Sequence, residues 1–376
     1  MRLTTLAKAV IVANPDKSST SLAVASFAKK RKTHGRTTLA DVASQAGVTA
    51  MTVSRMLREP HRVTVETAAR INAALKQTGY APNKSAGLLA SGRSRIVAAI
   101  VPNIANSIFA ETIQGLTDAL QADGYELLLA ATGYSMLREE DQIRALLGWA
   151  PAALIVTGRH HTQTAVAMMR RAVAEGIPVI EMWDQSVSAT EFIQVGFNHG
   201  KAGRAMLDHL VRCGYRDVVY VGSGVVGDLR ARERQQGFLA AARKARVRAR
   251  LVTAPAEEPM AAGRKVLQQL VSQSGLPGAM AFSNDLFAAG ACLQALEQGI
   301  DIPGRLGIMG FGDMTIAAQV AGGISTLAVP RFGIGFRAGE CVLTQIRHEP
   351  DVNPSPVNLL EPHLIERQTT MATRMG

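Results

Sequence analysis

Thr38-Leu-Ala-Asp-Val-Ala-Ser-Gln-Ala-Gly-Val-Thr-Ala-Met-Thr-Val-Ser-Arg-Met-Leu57 is the stretch whose reading decides the architecture. Leu39, Val42 and Ala43 fall at i, i+3 and i+4, the spacing that gives a helix one buried face. Thr38 followed three residues later by Asp41 has the layout of a capping box, with Asp in place of the usual Glu or Gln. Gly47 ends this first helix, because a residue without Cβ can take the left-handed conformation of a tight exit. Thr49 then caps a second helix whose apolar stripe is Val53, Met56 and Leu57. Two short helices joined by a glycine-containing turn are the plan of the helix-turn-helix, whose second helix can enter a DNA major groove. The outward positions of that helix, Ala50, Met51, Thr52, Ser54 and Arg55, are small, polar or cationic, as suits a face that meets base edges and phosphates. Any two helices joined by a glycine share this pattern, so the DNA reading rests equally on the surrounding chain.

Charge supplies the first support. Residues 1–95 hold 16 Lys and Arg against 4 Asp and Glu, which leaves 25 against 26 for the rest, from chain totals of 41 and 30. The excess is therefore confined to the first quarter, the electrostatic footprint of a module that binds a polyanion. The chain has 376 residues, 47% of them hydrophobic, enough for two or three domains with a sizeable core. No apolar run reaches the roughly 18 residues of a membrane span. Leu6 to Ala13 contains Lys8 and is a poor signal-peptide core, which makes the expected location cytoplasmic. Three widely spaced cysteines, Cys213, Cys292 and Cys341, contain no CxxC pair and argue against zinc or a disulfide framework. No metal or cofactor is expected.

The organisation along the chain follows. Residues 1–35, ending in Lys29-Lys-Arg-Lys32, read as a disordered basic extension. Residues 36–81 form the helix-turn-helix domain, in which Thr64 caps a third helix carrying Val65, Ala68, Ala69, Ile71 and Leu75, and Gly79 ends it. Residues 82–95 read as a linker with helix-forming residues, too short to be stable alone. From Ile96 the texture changes to short apolar strands alternating with amphipathic helices. The strands are Ile96–Val101, Glu126–Ala130, Ala153–Thr157, Gly176–Glu181, Asp217–Gly222, Arg250–Thr253, Ala279–Ser283 and Leu306–Phe311. Leu359 to Arg367 reads as a further strand. Buried, non-alternating strands separated by helices mean parallel sheets covered by helices. So many strands are better accommodated in two doubly wound halves, with a ligand cleft between them at the carboxyl ends of the strands.

Several independent motifs resemble the LacI/GalR family of transcriptional repressors, continuously from about 37 to 368. The helix-turn-helix with its Thr52-Val-Ser-Arg55 is similar to the family headpiece. Tyr80-Ala-Pro-Asn83 and Leu88-Leu-Ala90 are similar to its hinge helix. Asn284-Asp285-Leu-Phe-Ala288-Ala-Gly290, Gly310-Phe311 and Ser325-Thr326-Leu327 are similar to its core. The resemblance implies a headpiece and hinge followed by a two-lobed, periplasmic-binding-protein-like core over residues 96–376. The first lobe would take about 96–197 plus 331–350, and the second about 198–328 plus 355–368. It also implies a homodimer on palindromic operator DNA, controlled by a small sugar or sugar-acid effector. An obvious C-terminal leucine-heptad helix is missing, so a dimer is expected rather than a tetramer.

Carried onto this chain, the family's DNA contacts fall on Ala50, Met51 and Arg55 for bases and on Thr49, Thr52 and Ser54 nearer phosphates. Thr38, Asn83 and Ala86 join them, and Leu89 matches the leucine that wedges into the minor groove. Its ligand contacts fall on Asn106, Phe109, His161, Glu181, Asp184, Asn198, Arg234, Asn284, Asp285 and Arg331. Asp285 has the alternative of a helix cap. Two departures matter. The usual strand ending in Asp becomes Ile180-Glu-Met-Trp-Asp184, one residue longer, and Arg331 stands where many relatives place an aromatic. Both features resemble the gluconate-operon repressors of the family. They suggest a carboxylate-bearing effector held by Arg331 with Arg234 or His161, since a guanidinium pairs bidentately with carboxylate. The alternative for Arg331 is a structural ion pair.

Two other classes share parts of this pattern. Gly222-Ser-Gly224-Val-Val-Gly227 after a strand fits the dinucleotide fingerprint GxGxxG. About 20 residues on, however, Arg243-Lys-Ala-Arg-Val-Arg-Ala-Arg250 offers no carboxylate for a ribose, and the pattern sits mid-chain, so a cleft loop fits better. Gly196 to Lys201 resembles a P-loop, but its glycine spacing is one short and Ala202 replaces the Mg²⁺-binding hydroxyl. A sugar-binding protein of transport type shares the core but not the basic headpiece. The expectation is a regulator, not an enzyme.

Overall fold

The computed structural model describes residues 37–81, 94–104, 107–186, 190–273, 275–347 and 357–371. The chain divides into two compact units, residues 1–86 and 87–376. The expected extension 1–35, the hinge residues Asn83, Ala86 and Leu89, and Asn106 lie outside the described residues.

The first unit contains α1 (Leu39–Ala46), α2 (Ala50–Arg58) and α3 (Val65–Thr78). Thr38 Oγ1 accepts from the Asp41 N–H at 3.3 Å while the Asp41 carboxylate accepts from the Thr38 N–H at 2.7 Å. The capping box is therefore complete, and these bonds hold the exposed Asp41 carboxyl below its ordinary range. Gly47 and Gly79 leave α1 and α3 in the left-handed region, with φ of 64° and 61°. Thr49 and Thr64 cap α2 and α3. The anticipated stripes converge on one small core of Val42, Ala43, Ala46, Val53, Met56, Ile71 and Ala74.

The second unit has two sheets. β1 (Ile96–Val101), α4 (Ser107–Gln121), β2 (Glu126–Ala131), α5 (Met136–Leu147), β3 (Ala153–Thr157), α6 (Gln163–Ala174), β4 (Val179–Met182) and β5 (Ile193–Gly196) build the first lobe. The chain then crosses into α7 (His199–Arg212), β6 (Asp217–Gly222), α8 (Leu229–Lys244), β7 (Arg248–Thr253) and α9 (Pro259–Gln273). It continues through β8 (Ala279–Phe282), α10 (Asp285–Glu297), β9 (Gly307–Gly312) and β10 (Ser325–Ala328). It returns as α11 (Arg331–Arg347) and ends in β11 (Val357–Leu359) and β12 (His363–Ile365). The strand orders are β11-β5-β4-β3-β1-β2 and β12-β10-β9-β8-β6-β7. Both lobes thus share one doubly wound order, with switch points between β1 and β3 and between β6 and β8. A ligand in such a sheet sits outside the strand ends at the switch point.

Three elements correct the expectations. Ile193–Gly196 is a strand that the alternation missed, with the polar Gln194 at its buried centre. The single strand expected over Leu359–Arg367 is two short ones. β11 pairs parallel with β5 in the first sheet and β12 antiparallel with β10 in the second. The last crossing between lobes therefore falls between Leu359 and His363, not before residue 355. Arg331–Arg347 is a 17-residue helix despite its three glycines, residues of low helix propensity. A Cβ on Gly335 would lie 1.9 Å from the Thr112 carbonyl oxygen, so glycine is what lets α11 close on α4.

Candidate functional site: an interlobe cleft and an exposed recognition helix

On α2, Thr49, Ala50, Met51 and Arg55 are exposed, Thr52 and Ser54 half-buried, and Val53 and Met56 buried. Met51 is 70% exposed at the start of the helix. The Arg55 side chain has no hydrogen-bond or ion-pair partner among the described residues, so its guanidinium is free to reach a base or phosphate. The Thr49 hydroxyl is occupied by its cap, bonding the Thr52 N–H and hydroxyl. Charge is less concentrated here than the first-quarter total suggests. Residues 37–81 carry five Arg and Lys against three Asp and Glu, so most of the basic excess belongs to the flanking segments.

In the second unit the ends of the strands enclose two adjoining cavities, of about 470 and 430 Å³ counting their open mouths. The first lies over the β1/β3 switch point, lined by Pro102, Thr157, Gly158, His160, Glu139 and Asp184. The second lies over the β6/β8 switch point, lined by Phe109, Trp183, His199, Arg234, Ser283 and Asn284. Tyr134 and Arg230 belong to both. The lobes meet closely around them. A Cβ on Gly227 would be 1.9 Å from the Tyr134 carbonyl oxygen, so the last glycine of the GxGxxG stretch serves interlobe contact rather than a pyrophosphate. Glu233 of α8 is gripped from the first lobe by Arg159 and by His160, whose Nε2 is 2.9 Å away.

Aromatic rings form the floor. Phe109 and Trp183 meet edge-on at 5.2 Å, and Phe197 continues the series to Phe311 at 6.3 Å. Arg234 stacks 3.9 Å above Phe311. Its Nη1 bonds His199 Nδ1 at 3.0 Å and its Nη2 the Ser283 carbonyl at 3.2 Å. Since Nδ1 must accept from Arg234, His199 carries its proton on Nε2 and donates to the Trp183 carbonyl at 2.8 Å. Burial first, and then the Arg234 charge, push the His199 pKa well below its ordinary value, consistent with that neutral ring.

The extra residue before Asp184 has a physical consequence. Trp183 takes φ of 68°, a costly conformation for a non-glycine residue. It is held by its own N–H on the Val195 carbonyl and by its indole N–H on Thr112 Oγ1 at 3.0 Å. The turn delivers Asp184 to the cavity wall. There Oδ1 accepts from Arg159 Nε at 3.1 Å, and the fully buried Oδ2 has no partner among the described residues. Burial raises the Asp184 pKa, against the Arg159 charge.

Of the expected ligand contacts, the structure brings Phe109, Asp184, Arg234 and Asn284 to the cavities, while Asn284 also caps α10. Five others are corrected. Glu181 sits inside β4, where alternation turns it away from Ile180 and Met182 and under α6. It accepts from Gln194 Nε2 at 2.6 Å and faces His161 Nε2 at 3.4 Å. His161, its side chain 1% exposed, is caught between Glu181 and a short contact to Glu139. Asp285 is fully buried and bonds the Met314 N–H and the Thr326 hydroxyl, both at 2.7 Å. Burial raises its pKa to about 6 against those bonds. Arg331 is spent on Glu111, at 3.2 Å from Nε and 2.6 Å from Nη2, and on the Asp313 carbonyl at 3.0 Å. It is the structural ion pair of the alternative reading. Asn198 caps α7 by accepting from the Lys201 N–H.

Arg230 is the cleft residue that motif reading missed. Its signal was present, since Arg230 and Arg234 stand at i and i+4 and share one face of α8.

A basic recognition helix and a two-lobed ligand cleft in one chain define a DNA-binding regulator that senses a small molecule. Residues 38–83 match the model for bacterial regulatory proteins of the lacI family, and residues 207–370 a periplasmic binding protein-like domain. The HTH-type transcriptional regulator GntR of Pseudomonas aeruginosa is 35% identical over 320 residues, covering 85% of this chain and 92% of the relative. GntR of Escherichia coli is 31% identical over 324 residues, 86% and 96% of the two chains. A LacI family regulator from Silicibacter pomeroyi superposes with a TM-score of 0.82 at 34% identity, over 89% of this chain and all of that one. The lac repressor dimer bound to operator shares the fold, with a TM-score of 0.75 at 20% identity over 90% of this chain and all of that one. The chain belongs to the lacI family of bacterial regulatory proteins. It is a transcription regulator and not an enzyme. No helix among the described residues is long and apolar enough to cross a membrane.

Proposed function

We propose that this regulator is a cytoplasmic repressor of a sugar-acid operon, with a gluconate-type aldonate as effector. As a homodimer it reads a palindromic operator through two copies of Ala50, Met51 and Arg55. Thr38, Thr49, Thr52, Ser54, Asn83 and Ala86 hold the backbone, and Leu89 wedges into the minor groove at the centre. Unstacking a base step there costs a few kcal/mol, offset by the contacts that bent DNA permits. The observation that carries the effector reading is the composition of the cleft wall. Phe109, Trp183 and Phe311 offer ring faces, Asp184, Ser283 and Asn284 offer partners for hydroxyls, and α8 contributes two arginines. Polyol and acid are both provided for. The similarity to the two GntR regulators supports the same reading.

Titration calorimetry with gluconate, glucose and a neutral pentose tests it. Gluconate is expected to bind at least about tenfold more tightly than either neutral sugar, a difference of roughly 1.4 kcal/mol. Equal or tighter binding of a neutral sugar would remove the acid from the account.

A further inference from the structure

We propose that Arg230, and not Arg331, is the residue that seats the carboxylate of the effector and so selects acids over neutral sugars. This rests on the sugar-acid reading of the cleft and assigns its charge recognition to one side chain. Three arginines come near the strand ends, and they differ in what their guanidinium groups already hold. Arg331 has a bidentate carboxylate, Glu111, and a backbone carbonyl. Arg234 has His199, the Ser283 carbonyl and the ring of Phe311. Arg230 is 8% exposed, and among the described residues it makes no hydrogen bond and no ion pair. Only the ring of Phe109, 5.8 Å from its Cζ, and the more distant charge of Asp184 compensate it.

The guanidinium nitrogens of Arg230 have no protein partner among the described residues and are not sealed from the cavities, so they are open to an anion that enters. Arg230 lines both cavities, so an anion in either one reaches the guanidinium without entering the protein core. Its fork of donors matches a planar carboxylate, which accepts two parallel N–H bonds. Gly158 leaves the space it occupies, since a Cβ there would lie 3.3 Å from Arg230 Nη1. Asp184 Oδ2, unpartnered on the same cavity wall, repels a second negative group but accepts from a hydroxyl. One acid end and a hydroxylated chain is the ligand shape that satisfies both.

The test compares wild type, Arg230→Met, Arg230→Lys and Arg331→Met by calorimetry and thermal melting, with gluconate, glucose 6-phosphate and glucose as probes. Wild-type binding of gluconate tests the sugar-acid reading itself; the variants test the residue. Arg230→Met is expected to lower gluconate affinity by about 100-fold, the scale of a lost charge-assisted pair. It should leave weak glucose binding unchanged and should not lower the ligand-free melting temperature, because the Arg230 side chain holds no hydrogen-bond or ion-pair partner among the described residues. Arg230→Lys should recover part of the affinity, as a point charge without the fork. Arg331→Met should lower the melting temperature and change gluconate affinity by no more than a few-fold. The proposal is overturned if Arg230→Met binds gluconate like wild type, or if it melts as early as Arg331→Met, which would make Arg230 a structural residue. Tighter binding of glucose 6-phosphate than gluconate overturns it too, by giving the arginine to a phosphoryl group.

Discussion

Replacing Arg55 by Ala is expected to abolish most specific operator binding while effector titrations stay as in wild type. An arginine on the exposed face of a recognition helix that pairs bidentately with guanine contributes about 1–3 kcal/mol per site. A dimer uses it twice, so the loss is about 2–6 kcal/mol, on the order of 30- to 10⁴-fold. The independence of the two readouts follows from packing. α2 is held by its own core of Val42, Val53, Met56 and Ile71 within the first compact unit, and Arg55 contributes nothing to it. Gel shifts on matched and scrambled sites at two salt concentrations check the result. A base contact relaxes sequence preference at one position, whereas a phosphate contact weakens all sites alike and lowers the salt slope by about one. Loss of effector binding in the same variant would mean that the headpiece is not an independent reader.

The second large effect concerns His161. Burial disfavours its charged form, but Glu139 and Glu181 outweigh that and raise its pKa to about 9, from an ordinary value of 6.5. The ring is therefore an imidazolium at neutral pH, the counterion of two carboxylates packed beneath the cleft. A folded-state pKa above the unfolded one means stability that is fully present below pH 6.5. That stability drains away as the pH rises through the folded value near 9. The amplitude is about 3 kcal/mol from a shift of that size. His161→Gln is expected to cost about 3–5 kcal/mol near neutral pH, because it strands buried carboxylates without a cation. Urea unfolding at pH 6 and pH 9 checks both statements. Wild type should weaken across the interval, and the variant should begin weak and lose less. A variant as stable as wild type at pH 6 would show that the ring is not the counterion.

How far the sequence reached can be judged from particular residues. The helix-turn-helix was legible because each of its signals is local: Thr38 with Asp41, Gly47 and Thr49 are all decided within one helical turn. The doubly wound core was legible because its strands are apolar throughout. Ile193–Gly196 escaped because Gln194 is polar, and its partner Glu181 lies on another strand. α11 is hard to read because its glycines lower helix propensity, and the reason for Gly335, the Thr112 carbonyl of α4, lies more than 200 residues away in the chain. At the site, motif position predicted proximity but not direction. Glu181 belongs to the strand and points under α6, whereas Asp184 follows a left-handed Trp183 and turns to the cavity. The sequence puts Arg331 at the cleft because nothing in its neighbourhood announces Glu111 on α4. Arg230 carries no family pattern of its own; only Arg234 does. Which arginine is already paired is a tertiary fact.

The central claim is that one effector chemistry in the cleft governs what α2 reads. Fluorescence anisotropy of the wild-type protein on the promoter DNA next to its own gene, titrated with gluconate and then with glucose, tests it most directly. Gluconate is expected to change operator affinity by at least about tenfold, within the usual 1–3 kcal/mol of coupling between sites, with glucose leaving it unmoved. Operator affinity that responds to neither ligand, or binding that is indifferent to DNA sequence, would contradict the account.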